Sequence, residues 1–184
     1  MKKKEIPIQQ YAFQTTNLSG ASEDFLEETA PLIGYIVHSF NTLENLLNES
    51  LCNLINERSD AQGLLVIYNM NYSSKVDMFK RFLLELQNTA CKKITILDQL
   101  TKNLILAGNL RNQVVHADWK SAYDDGYTRC KLKINSKGIT HEYIQFTTES
   151  LESIIELISN TCNMFDDYET EMENFWHDKQ RHKA

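Results

Sequence analysis

Over residues 31 to about 58 the apolar positions recur at steps of three and four: Leu32, Ile33, Ile36, Val37, Phe40, Leu43, Leu46, Leu47, Leu51, Leu54 and Ile55. That period holds them on one face and predicts a long first helix. Pro31 suits its first turn, where a missing N–H costs little. Residues 22–29 predict a short helical lead-in. Asp60 is placed to cap a shorter segment through Leu64, Leu65, Val66 and Ile67, an apolar run that fits a helix or a strand.

Ser74-Lys75-Val76-Asp77 fits a capping box, and Val76, Phe79, Phe82, Leu83 and Leu86 continue it as a helical stripe. After a polar, basic break at residues 90–93, the period predicts a helix over 94–116, with Ile94, Leu97, Leu100, Leu104, Ala107 and Val114 inward. Then the period drops to two. Thr128, Cys130, Leu132 and Ile134 alternate with Arg129, Lys131 and Lys133, and Asn135-Ser136-Lys137-Gly138 reads as a turn before a return strand. Asp124-Asp125-Gly126 reads as the turn that leads in. Thr147 or Thr148 can cap a last helix whose stripe is Leu151, Ile154, Ile155, Ile158, Cys162 and Phe165.

These elements predict a mainly α fold, an up-and-down helical bundle with an inserted β-hairpin near residues 127–146. Residues 1–20, polar and without a period, are expected to be an irregular arm; residues 21–178 form a single helical domain, and 179–184 a polar tail. Only 2 prolines and 6 glycines interrupt the chain, which favours long helices over a many-turned sandwich.

No run reaches the roughly 18 apolar residues of a membrane span. Met1-Lys2-Lys3-Lys4 is followed by Glu5, Gln9 and Gln10 instead of an apolar signal segment, so a cytoplasmic protein without membrane contact is expected. Cys52, Cys91, Cys130 and Cys162 lie far apart, with no Cys-x-x-Cys, which predicts scattered buried thiols over a disulfide framework, a redox pair or a zinc site. The net charge of −6 argues against a generic nucleic-acid coat. Charge is uneven, however. Residues 23–57 carry only acids, whereas residues 75–133 are rich in Lys and Arg, a middle able to attract phosphate.

Chemistry concentrates in Arg111-Asn112-Gln113-Val114-Val115-His116. On a helix, Asn109, Asn112 and His116 share a face, and the long Arg111 side chain can lean toward it. Histidine exchanges a proton near neutral pH, arginine fits phosphate oxygens, and Asn112 can orient the histidine or donate to phosphate. These are the needs of RNA cleavage through the 2′-OH, which requires no metal. Lys75 at a helix start, Trp119 and Tyr72 as stacking surfaces, and Glu44 on the first helix are further candidates for the RNA site. The other reading of Arg111 and His116 is as caps or ion-pair partners near a helix end, with Asp118 close by. His38, His177 and His182 lack partners at ligand spacing, so neither a metal site nor a cofactor is expected.

The motif resembles the Arg-x(4–6)-His motif of HEPN domains, including the polar residue directly after the arginine, and the helical setting over roughly residues 30–170 is similar. The resemblance implies a HEPN-like helical bundle and a metal-independent endoribonuclease of toxin–antitoxin or antiviral, phage-defence systems. Arg111 and His116 would be the catalytic pair, with Asn112 in support. It also implies a homodimer whose motif helices face each other across an RNA cleft, and an antitoxin or defence-system partner protein. Family members without catalysis bind RNA, nucleotide or protein, and that alternative stays open. The basic hairpin departs from the minimal bundle, and RNA contacts, a partner surface or a lid are its open roles.

Overall fold

A computed structural model describes residues 1–8, 23–119, 126–136 and 138–181, with side chains as far as Trp176. The predicted turn at Asp124-Asp125 and most of the N-terminal arm lie outside the described residues. Of the described residues 70% are helical, in five helices, beside a small three-stranded antiparallel sheet. In order these are β1 (Lys3–Pro7), α1 (Glu23–Ile55), α2 (Asp60–Ile67), α3 (Tyr72–Ala90), α4 (Leu97–Val115), β2 (Tyr127–Asn135), β3 (Gly138–Gln145) and α5 (Thr148–Arg181). They divide into two compact units, one of residues 1–38 and 109–156, the other of residues 39–108 and 157–184.

The first unit holds the sheet, in the order β1-β3-β2. The predicted hairpin is present, but it gains a third strand. β1 pairs antiparallel with β3, from Lys3 opposite Ile144 to Pro7 opposite Thr140. Residues 3–7 are therefore strand where an irregular arm was expected. Their own pattern is too short and too charged to show it; the pairing is supplied by β3.

The faces of β2 also differ from expectation. Its register against β3 shifts between Arg129 and Lys131. A bulge inserts one residue and so moves every later side chain to the opposite face. Thr128 is fully buried, but Leu132 is 49% and Ile134 73% exposed. The alternation predicted them on one face. Gly126, at φ +78°, leads into β2, where a Cβ would collide with the Phe146 carbonyl oxygen. Behind the sheet, the Trp119 ring centroid lies 5.1 Å from that of Phe146 and 6.4 Å from that of Phe25. Ile36, Val114, Ile144 and Leu151 are fully buried around this unit's core.

α1 begins at Glu23 and runs through Pro31, so the lead-in and the long helix are one element. Pro31 is exposed, and water can serve the Glu27 carbonyl that loses its intrahelical donor.

The second unit packs aromatic and aliphatic side chains from the remaining helical segments. Phe79 meets Tyr168 at 5.3 Å and Phe165 at 6.1 Å between centroids, with Leu43, Leu47, Leu51, Leu83, Leu100 and Leu104 fully buried. The ambiguous run ending at Ile67 is helical; only Ile67 of it is buried, and Leu64, Leu65 and Val66 are exposed. Extended Ser59 stands at the N-cap position of α2 without a side-chain capping bond, and Asp60, expected to be the cap, lies inside the first turn. α3 starts a turn earlier than the capping box implied. Its cap is Asn71, whose Oδ1 accepts from the Ser74 N–H at 2.9 Å and from Ser73 Oγ at 2.7 Å. Tyr72 donates its hydroxyl to the Leu104 carbonyl at 3.1 Å, and its ring lies where a Cβ on Gly108 would come within 2.7 Å. That glycine lets the ring seat against α4.

α4 starts at Leu97, three residues later than predicted, because its first donors are taken from outside. Glu171 of α5 accepts from the Thr95 N–H at 2.6 Å, Thr95 Oγ1 at 3.0 Å and the Ile96 N–H at 3.2 Å. A carboxylate there satisfies orphan donors and meets the positive end of the helix.

Candidate functional site

The last two turns of α4 present the motif from within the first unit. Val114 is fully buried and anchors the helix, which turns Asn109, Asn112 and His116 outward, all three exposed. They are spaced by three and four residues, so they form one stripe. Arg111 leans across as its length allows: Nη1 donates to Asn112 Oδ1 at 3.1 Å. His116 follows the last helical residue, its N–H donating to the Asn112 carbonyl at 3.1 Å. Its imidazole is exposed and has no hydrogen-bond partner among the described residues. Between them, Gln113 buries its Oε1 without a partner among the described residues.

The helix end is fixed by the residues that follow. The Val114 carbonyl accepts from the Ala117 N–H at 3.3 Å and from Trp119 Nε1 at 3.0 Å. With its ring stacked near Phe146 and Phe25, Trp119 tethers the helix end. Asp118 donates its N–H to the Arg129 carbonyl at 2.8 Å and accepts from the Arg129 guanidinium. Arg129 and Gln113 were not singled out in the sequence. A pair eleven residues apart, across a turn and a strand, leaves no local spacing signal.

Lys75 and Glu44 belong to the second unit and are joined to each other, Nζ to Oε1 at 2.7 Å. Lys75 is only 9% exposed, and its ammonium serves a part-buried ion pair. Tyr72 is likewise engaged, at 4.7 Å from the Phe40 ring centroid; burial, then the nearby Glu44 carboxylate, push its hydroxyl far above the usual range.

Thiol chemistry finds little support. Burial raises the Cys130 thiol to about 11 and also raises Cys52 and Cys162, which keeps them protonated at neutral pH. All four cysteines are free, but only Cys52 is buried as expected; Cys130 and Cys162 are half-buried and Cys91, the left-handed cap that ends α3, is exposed. Among the described residues, no three His, Cys, Asp or Glu side chains are grouped to hold a metal ion, and no helix is long and apolar enough to cross a membrane. No protein-family model, curated protein or solved structure matches the chain.

Proposed function

We propose that this chain is a HEPN-type, metal-independent endoribonuclease that works as a toxin or phage-defence effector in the cytoplasm. The observation that supports it is the exposed stripe of Asn109, Asn112 and His116, with the Arg111 guanidinium held on Asn112 Oδ1. The His116 imidazole is free to take the proton of a 2′-OH as it attacks the adjacent phosphorus. Arg111 offers donors to the phosphate oxygens as charge builds there, and Asn112 sets the direction of the guanidinium. The bond to the 5′-oxygen breaks and that oxygen takes a proton from water, leaving a 2′,3′-cyclic phosphate and a 5′-hydroxyl end, while His116 returns its proton to solvent. Asn109 extends the stripe toward the next nucleotide. A homodimer would bring two such stripes to one RNA, and an antitoxin or other defence partner would cover them.

RNA incubated with the protein in EDTA tests this reading: wild type yields cyclic-phosphate ends and His116→Ala does not. Intact RNA at high protein concentration sinks it. The alternative is a non-catalytic module that binds RNA, nucleotide or a protein partner, favoured by the intrachain bond that already occupies part of the Arg111 guanidinium. Binding that survives His116→Ala without turnover is its signature.

A further inference from the structure

Within the second unit, the end of α1, the middle of α3 and the C-terminal half of α5 enclose a cavity of about 570 Å³, a volume in the range of small-molecule sites. Phe82, Met172 and Trp176 form apolar walls, and the Trp176 ring is 41% exposed. Two of the groups lining it are hydroxyls on almost fully buried residues, Tyr168 and Ser50, each 5% exposed. Neither hydroxyl has a hydrogen-bond partner among the described residues. Both side chains are buried while their hydroxyls open onto the cavity, so water or a ligand there supplies the bonds they lack.

Among the described residues the charge of the lining is of one sign: Glu57, Glu169 and Glu173 border the cavity, and no described Lys or Arg does. Glu169 and Glu173 are one turn apart on α5, so both carboxylates face the same space. An anion is therefore disfavoured there. A neutral apolar ligand would leave the hydroxyls unmet. An ammonium carried on an aliphatic chain satisfies every group: its N–H donors meet the hydroxyl oxygens and the carboxylates, its charge rests against the indole face, and its methylenes cover Phe82 and Met172.

We propose that this cavity binds an aliphatic polyamine. The site is separate from the Asn109–His116 stripe and does not depend on RNA chemistry.

Spermidine, titrated into the full chain by calorimetry and by ¹H–¹⁵N NMR, tests the proposal. Saturable one-to-one binding is expected, with shifts centred on Tyr168 and Trp176. Glu169→Gln with Glu173→Gln should weaken binding about tenfold or more, since charge-assisted bonds are lost. Glu27→Gln with Glu28→Gln removes the same net charge at exposed positions of α1 and should leave binding within about twofold. Tyr168→Phe, which keeps the charge and nearly the shape, should weaken it about threefold. Circular dichroism checks that each variant keeps its helices. Equal losses from the two double variants would mean unspecific attraction to an acidic protein and would overturn the proposal. So would spermidine remaining unbound at millimolar concentration, or a trilysine peptide binding where spermidine does not.

Discussion

Asp118 and Arg129 hold each other twice, by a backbone bond from the Asp118 N–H to the Arg129 carbonyl and by a side-chain ion pair. The pair fastens the segment that leaves the motif helix to the first turn of β2. Asp118→Ala keeps the backbone bond but loses the charge contact. Both side chains are partly exposed, so the expected loss is about 1 kcal/mol. Urea denaturation of wild type and variant measures it; an unchanged midpoint would show that the ion pair contributes nothing.

His116→Ala should abolish RNA cleavage, by about a hundredfold or more, while leaving the melting temperature unchanged, because the imidazole is exposed. Arg111→Lys retains charge but not the forked donor geometry, and should also lose most activity. Cleavage rates on a labelled RNA, read beside thermal melts, decide both. Full activity in either variant removes that residue from the chemistry.

Removing one partner from the Lys75–Glu44 pair should cost more than removing both. Glu44→Ala leaves an ammonium on a residue 9% exposed and should destabilise by about 2–3 kcal/mol. Glu44→Leu combined with Lys75→Met should recover part of that loss. A double-mutant cycle in guanidinium gives the coupling; additive losses would mean the two charges are not coupled.

Glu171 caps a helix far from it in sequence, accepting from three donors at the start of α4. Glu171→Ala should cost about 1–2 kcal/mol and fray that start. Faster amide exchange at Leu97 and Asp98 than in wild type is the local sign; unchanged exchange there would contradict the capping role.

His141 sits in β3 opposite Ile6 of β1 and Leu132 of β2. Burial, and secondarily the Arg129 cation, lower its imidazole below the ordinary value of 6.5. The folded chain therefore resists a proton that the unfolded chain accepts. Stability is in full above the unfolded value and falls as the pH drops toward and through the folded one. His141→Leu should make the urea midpoint less dependent on pH between about 7 and 5. Parallel slopes for variant and wild type would assign the acid sensitivity elsewhere.

Wherever a long periodic stripe meets its own helix, the sequence was easy to read. Leu43, Leu47 and Leu51 are all buried as spaced, and Thr147 caps α5, exchanging bonds with Ser150 at 3.2 and 2.9 Å. Features set by a distant partner were not legible. β1 owes its strand to β3, and α4 owes its start to Glu171. The bulge near Cys130 reverses a correct period-two pattern halfway along β2, so that Leu132 and Ile134 emerge on the wet side. At the site, the stripe and the reach of Arg111 follow from helical geometry. The engagement of Lys75 by Glu44, on another helix, depends on tertiary placement that no local spacing encodes.

The two tryptophans happen to fall one in each unit, Trp119 enclosed by aromatic rings and Trp176 open to water. The first indole should emit toward the blue and shift when the strands loosen. The second should emit toward the red and be quenched readily by iodide. Each half of the chain thus carries its own intrinsic lamp, and whether the halves melt together or in turn can be seen without attaching any label.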